Sequence, residues 1–133
     1  MARGSSRVVV QGIAGEALTD WEDKFVTLNA AGEVTKADAG AGEIVTGVLE
    51  TGNNADGTIP DGQIVSVCVW GPTMVSADAA NDAMAIIMTS ADGQAALATT
   101  GLWMIGYLIE PADAAGHLAE FMVTGPSFYH TGA

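Results

Sequence analysis

Apolar and polar positions alternate with a period of two along two stretches of the chain, and the two stretches are alike. Between residues 63 and 70, Val65, Val67 and Val69 alternate with Ile64, Ser66, Cys68 and Trp70. Between 117 and 124, Ala119, Phe121 and Val123 alternate with Leu118, Glu120, Met122 and Thr124. This is the period of a β-strand, whose successive side chains point to opposite faces. The odd-numbered set is apolar in both runs and predicts the core face. The other set carries Ser66 and Glu120 and predicts a half-wet face. Each run opens at a glycine, Gly62 or Gly116, and closes at Gly71-Pro72 or Gly125-Pro126. Both strands are expected to stop there, because proline cannot donate to a ladder.

The likeness continues upstream. Gly47-Val48-Leu49-Glu50 follows Gly42 as Gly106-Tyr107-Leu108-Ile109-Glu110 follows Gly101. Ala31-Gly32-Glu33 and Asp92-Gly93-Gln94 each follow an apolar stretch, Phe25 to Leu28 and Ile86 to Met88. The pattern predicts an all-β chain, a small sandwich or barrel-like domain built from two pseudo-repeats, 21–72 and 82–126. A linker 73–81 joins them, an extended arm 1–20 precedes them and a tail 127–133 follows. At most one or two short helices are expected. Ser76 can cap one through Ala80, and Thr19 to Glu22 has capping-box spacing for a single turn. Residues 44–49 and 102–109 are apolar on both faces. In the second, Trp103, Ile105, Tyr107 and Ile109 oppose Met104, Gly106 and Leu108. Such a strand needs cover on both sides, from another subunit or from elsewhere in the chain.

Composition narrows the reading. A chain of 133 residues fits one domain with a real core. Aromatics are only 6% of the chain, so the core must be made mostly of small and β-branched side chains. The net charge of −12 repels phosphate backbones and anionic lipid, which argues against nucleic-acid and membrane partners. No apolar run approaches the ~20 residues of a spanning helix, and residues 1–10 lack the apolar core of a secretory signal. A soluble protein made in a cytoplasm is expected. Two of its four bases, Arg3 and Arg7, lie in the arm beside Val8, Val9 and Val10. With little apolar surface of its own, that arm is expected to be mobile until it docks. Cys68 is the single cysteine, so no intrachain disulfide can form; its counterpart is Met122, and a buried apolar role follows.

Candidate chemistry is thin. His117 opens a repeat strand where the other copy has Gln63, and His130 lies in the tail; no spacing offers zinc ligands. No nucleophile elbow or phosphate loop occurs. Asn53, Asn54, Asp56 and Gly57 with Asp61 have the oxygen ligands and glycine of a calcium loop, but Gly52 and Gln63 stand where acids are needed. Asx turns account for the same residues. No enzyme activity, metal or cofactor is expected.

The phrases Gly47-Val48-Leu49-Glu50 with Gly62 to Val69, and Gly106-Tyr107-Leu108-Ile109-Glu110-Pro111-Ala112 with Gly116 to Val123, resemble a motif of tailed-bacteriophage capsid decoration (head cement) proteins. Ile86 to Gly93 and Thr99 to Gly101 resemble the segment that precedes it there. The likeness covers about 24–124. The chain departs from the family's pattern in its arm, in Asn81 to Met84 and in the tail. The resemblance implies a homotrimer on the outer capsid surface of a virion, bound to the major capsid protein and strengthening the shell against packaged DNA. Within that frame Arg3, Arg7, Val8, Val9 and Val10 are expected to contact the capsid, and Trp103, Ile105, Tyr107 and Ile109 the trimer partners. The alternative is a carbohydrate- or host-adhesive β module on a virion or cell surface, with Trp21, Trp70 and Trp103 as sugar platforms.

Overall fold

A computed structural model describes residues 7–38, 43–51, 54–99 and 101–128. Among these the chain is all β. The strands are β1 (Val8–Ile13), β2 (Phe25–Leu28), β3 (Val34–Lys36), β4 (Gly47–Thr51), β5 (Ile64–Ser76), β6 (Ile86–Thr89), β7 (Ala95–Leu97), β8 (Trp103–Leu108) and β9 (Leu118–Phe128). They form one curled antiparallel sheet in the order β3-β2-β4-β5-β9-β8-β6-β7, with β1 on β5.

The duplication read from the sequence is present strand for strand. β2 pairs with β3 and β4, and β4 with β5. β6 pairs with β7 and β8, and β8 with β9, in the same way. Registers match too: Val48 lies opposite Cys68 and Leu49 opposite Val67, as Tyr107 lies opposite Met122 and Leu108 opposite Phe121. Cys68 and Met122 are therefore counterparts, and Cys68 is buried. Gly47 and Gly106 have the same reason to be glycine. A Cβ on Gly47 would meet the Cys68 carbonyl oxygen at 2.2 Å, and one on Gly106 the Met122 carbonyl oxygen at 1.9 Å.

The repeat boundary differs from the expected one. β5 does not stop at Gly71-Pro72; it bends there, with Gly71 at φ 100, and runs on to Ser76. Its first half pairs with β1 and β4, its second half with β9. Proline is tolerated because the strand changes partners at that point. Residues 73–76, expected in a linker, are thus strand, and the expected helix from Ser76 does not form. β1 also belongs to the sheet, not to a free arm. Val10 lies opposite Val67 and Gly12 opposite Val65, matching Thr73 opposite Phe121 and Val75 opposite Ala119. β1 is the first-repeat equivalent of the second half of β5. Parallel bridges Ala14–Val34 and Ala77–Ala95 draw each half round into a barrel-like lobe. β5 is the strand the lobes share.

Each lobe has its own core. In lobe 1, Val26, Val34, Leu49, Val65 and Val67 point inward under Leu18, Trp21 and Ile59. In lobe 2, Ile87, Ala95, Leu108, Ala119 and Phe121 occupy the equivalent places. Of the predicted core face, Val65, Val67, Ala119, Phe121 and Val123 are buried and Val69 is half-buried, while Cys68 on the opposite face is buried as well. The second core also takes in Phe25, Ala37, Val45, Val48 and Cys68 from the outer face of lobe 1. Lobe 1 is therefore covered on both faces of β2 and β4, one of them by lobe 2.

Candidate interaction surface

The joint between the lobes is made by the turn that leads into β2. Leu18 accepts from Trp21 N–H at 2.9 Å, and Asp23, at φ 64, donates to the Leu49 carbonyl at 2.8 Å. This holds residues 21–25 as a wedge. Phe25 N–H donates to the Gly93 carbonyl and Ser76 N–H to the Asp23 carbonyl, both at 2.8 Å. The Phe25 ring, fully buried, meets Phe121 edge-on with centroids 5.6 Å apart. Trp21 donates its indole N–H to the Phe25 carbonyl at 2.7 Å, and its ring covers Gly93, where no side chain would fit. Lys24 and Lys36 lie over that ring at 4.9 and 5.0 Å. Trp21, expected as one of three possible sugar platforms, is buried in the joint.

Beside the wedge, Arg7 grips Glu50 through its two terminal guanidinium nitrogens, one of them reaching Oε1 at 2.7 Å, and also the Pro72 carbonyl at 3.2 Å. Thr73 donates to the same carboxylate at 2.6 Å. Arg7 was expected at the capsid; its charge is engaged within the chain and ties the start of β1 to the point where β5 changes partners. Burial raises the pKa of the nearby Asp23 carboxyl above the usual aspartate range, with the charges of Glu22 and Glu50 adding to it. Burial likewise raises the Cys68 thiol pKa.

Of the other residues expected at the capsid, Arg3 lies outside the described residues. Val8, Val9 and Val10 are exposed, although their backbone is paired to β5. A bulge between Val8 and Val9 turns both toward the outer face, where Val8 lies opposite Trp70. Val8, Val9 and Trp70 are exposed and apolar at one end of this face and Ile13 and Ile64 at the other, with Gln11 opposite Ser66 between them. Trp70 is 49% exposed. The sequence showed this face as half wet, and the exposed tryptophan is its main feature.

The residues expected at the trimer interface are split by a bulge between Met104 and Gly106. Ile105 turns inward and is only 1% exposed, within the lobe 2 core, so it does not stand at the surface where a partner would meet it. Trp103, Tyr107 and Ile109 are half-buried at the surface. Tyr107 is the counterpart of Val48, and Ile86 beside it is the counterpart of Phe25. The face that lobe 2 covers on lobe 1 is thus open on lobe 2 itself.

No cluster of three or more potential metal ligands occurs among the described residues. Asp56 instead accepts from Thr58 N–H at 3.1 Å and from its hydroxyl at 2.7 Å, an Asx turn that lowers the Asp56 pKa. The half-buried His117 faces the exposed Asp113 at 3.9 Å.

No protein-family model matches the sequence, and no curated protein is similar to it. Among solved structures, the chain is similar to the N base of the head fiber protein gp8.5 of bacteriophage phi29, with a TM-score of 0.62 and 16% identity. The likeness spans 93% of this chain and 99% of that one, so the whole two-lobed fold is shared with a phage head-fiber base.

Proposed function

We propose that the protein is a non-enzymatic structural component of a tailed-phage head. It sits on the outer capsid surface as a homotrimer and stabilises the shell against the pressure of packaged DNA. The observation that carries this reading is the likeness to the phi29 head-fiber base, which spans 93% of this chain. The sequence motifs in both repeats lean the same way. The charge of −12 suits a surface that must stay off DNA and remain soluble when crowded on a shell. Contact with the major capsid protein falls to the apolar strip of Val8, Val9 and Trp70, with Arg3 adjacent in sequence. Trp103, Tyr107 and Ile109 contribute to the contact between subunits. Three copies on one shell multiply a modest individual affinity through avidity.

The exposed Trp70 keeps the adhesive reading alive. A sugar platform needs polar side chains around the ring to hold hydroxyls, whereas Trp70 lies opposite Val8 and beside the exposed Val9. That setting suits an apolar protein contact. The test is co-sedimentation with heads of the parent phage that lack this protein. Saturable binding to intact shells, abolished by Trp70→Asp and accompanied by a higher shell-rupture temperature, is expected. Absence of binding at micromolar excess, with retention on a glycan surface, would replace this reading with the adhesive one.

A further inference from the structure

The internal joint has two halves, a wedge and a seat, and the duplication supplies each of them twice. Lobe 1 offers the wedge Trp21–Phe25, which is seated in lobe 2. Lobe 2 carries the equivalent wedge, residues 82–86. Met84 sits at φ 69 where Asp23 sits at φ 64, and donates to the Leu108 carbonyl at 2.8 Å as Asp23 donates to that of Leu49. Ala85 donates to the Asp82 carbonyl at 3.2 Å as Lys24 donates to that of Trp21. The wedge is therefore preformed, yet Met84 at its tip is 66% exposed.

Among the described residues, the matching seat on lobe 1 is a groove with an exposed rim, Val10 and Leu28, over a buried floor, Val26, Val34 and Val67. In lobe 2, Phe25 is buried with Val75, Ile87, Ala95, Ile105 and Phe121. Their lobe 1 equivalents are Gly12, Val26, Val34, Thr46 and Val67, and these line an apolar groove of about 170 Å³ between β1 and the β2–β3 ribbon. Gly32, the equivalent of Gly93, stands at its rim. Of the side chains that differ, Trp21 is replaced by the exposed Asp82, whereas the pair beside Phe25 changes on both partners together. At the internal joint Asp23 and Thr73 line one cleft together with Arg7, Glu50 and Met74. Their counterparts at the open ends are Met84 and Val10, both apolar and both exposed. At this pair of positions polar lies beside polar inside the chain, and apolar would meet apolar between chains.

We infer that the wedge at Met84–Ile86 of one copy docks in the groove between β1 and β2–β3 of a second copy, repeating the internal joint between chains. Ile86 takes the place of Phe25, and Met84 lies on Val10. Ile86 N–H pairs with the Gly32 carbonyl, and Ile13 N–H with the Met84 carbonyl. Tyr107, on the face that carries Ile86, is covered by the same contact. The interface is heterologous, so it closes into a ring if the rotation per step permits and otherwise extends as a filament. This deepens the proposed self-association and is independent of capsid binding.

The test uses two full-length variants, Met84→Asp and Val10→Glu, each at an exposed position so that folding is preserved. Asp also suits the positive φ, as Asp23 shows. Sedimentation velocity at about 1 M salt, where the Debye length is ~3 Å, removes the repulsion between acidic chains. Wild type is expected to associate. Each variant alone buries a carboxylate against apolar groups and should associate at least about tenfold more weakly. Mixed one to one, they should form a heterodimer and nothing larger, because one variant keeps an intact wedge and the other an intact groove. Wild-type trimers together with mixed variants that stay apart, or variants that associate like wild type, would overturn this docking while leaving trimerisation standing. Wild type that remains monomeric under these conditions and on capsids would overturn both.

Discussion

Phe25 and Ile86 occupy equivalent places in the two repeats, yet only Phe25 has a neighbouring lobe to enter, and that difference can be measured. Phe25→Ala removes a fully buried ring from the core of lobe 2 and its edge-on contact with Phe121 at 5.6 Å. Little around it can collapse into the space, because Phe25 N–H is pinned to Gly93 and Trp21 caps the seat. The expected loss is about 3–5 kcal/mol. For a chain of this length that corresponds to a fall in Tm of about 10–20 °C. Ile86→Ala deletes a side chain that is half in solvent in the single chain, so about half of a buried aliphatic truncation, roughly 1–2 kcal/mol, is lost. Urea unfolding at micromolar concentration, followed by tryptophan fluorescence, gives both values. The comparison is made where the protein is monomeric, since self-association would add to the cost at Ile86 alone. Equal losses at the two positions would mean that the lobes are not joined through Phe25, and the argument from equivalent wedges would fail with it.

Gly106→Ala places a Cβ 1.9 Å from the Met122 carbonyl oxygen and must part β8 from β9, for about 3 kcal/mol. Gly57→Ala meets no atom within 4 Å and pays only for its positive φ, about 1–2 kcal/mol, so thermal melts should rank the two clearly. Asp23 has a raised pKa in the folded chain, so its contribution is fully present below the unfolded value near 3.8 and is lost as pH rises through the folded value. Asp23→Asn should therefore match wild type in urea midpoint at acid pH and exceed it at neutral pH; a constant difference across that range would contradict the assignment.

The duplication was legible because it is written in glycines and strand alternation. Gly47 and Gly106 are fixed by backbone approach, and Val65, Val67, Ala119 and Phe121 by a two-residue period, both local signals. The extent of the repeat unit was not legible, for two reasons. Gly71-Pro72 reads as a stop, but here it marks a strand that leaves one set of neighbours for another, which no local pattern distinguishes. β1 reads as an arm because Val8 to Ile13 lack the Gly-Pro and turn residues of its equivalent in β5; only the registers of Val10 with Val67 and Thr73 with Phe121 reveal the match. Ile105 was misplaced because strict alternation was carried through a bulge. The wedge was missed for a different reason. Asp23 and Met84 share no chemistry, and their equivalence lies in a positive φ and a hydrogen bond to Leu49 or Leu108. The spacing of each from the Gly32 and Gly93 turns was the one signal in the sequence that pointed there.

A duplicated unit whose copies share a strand cannot be satisfied at both ends. Joining lobe 1 to lobe 2 uses one wedge and one seat, and leaves the complementary pair, residues 82–86 and the groove behind β1, at opposite ends of the molecule. β9 carries the same asymmetry: Gly125-Pro126 repeats Gly71-Pro72, with Gly125 at φ 89, and the strand continues beyond its pairing with β5 as β5 continues beyond its pairing with β1. In the internal case that continuation founds the next lobe. An isolated copy must solvate these ends, which explains why the wedge tip and groove rim are apolar yet exposed, and why the chain carries so much negative charge elsewhere. The charge opposes indiscriminate pairing of such ends in solution. A shell that gathers copies at high local concentration favours the ordered contact. Assembly on a surface is thus the condition under which this fold can use the joint it was built from a second time.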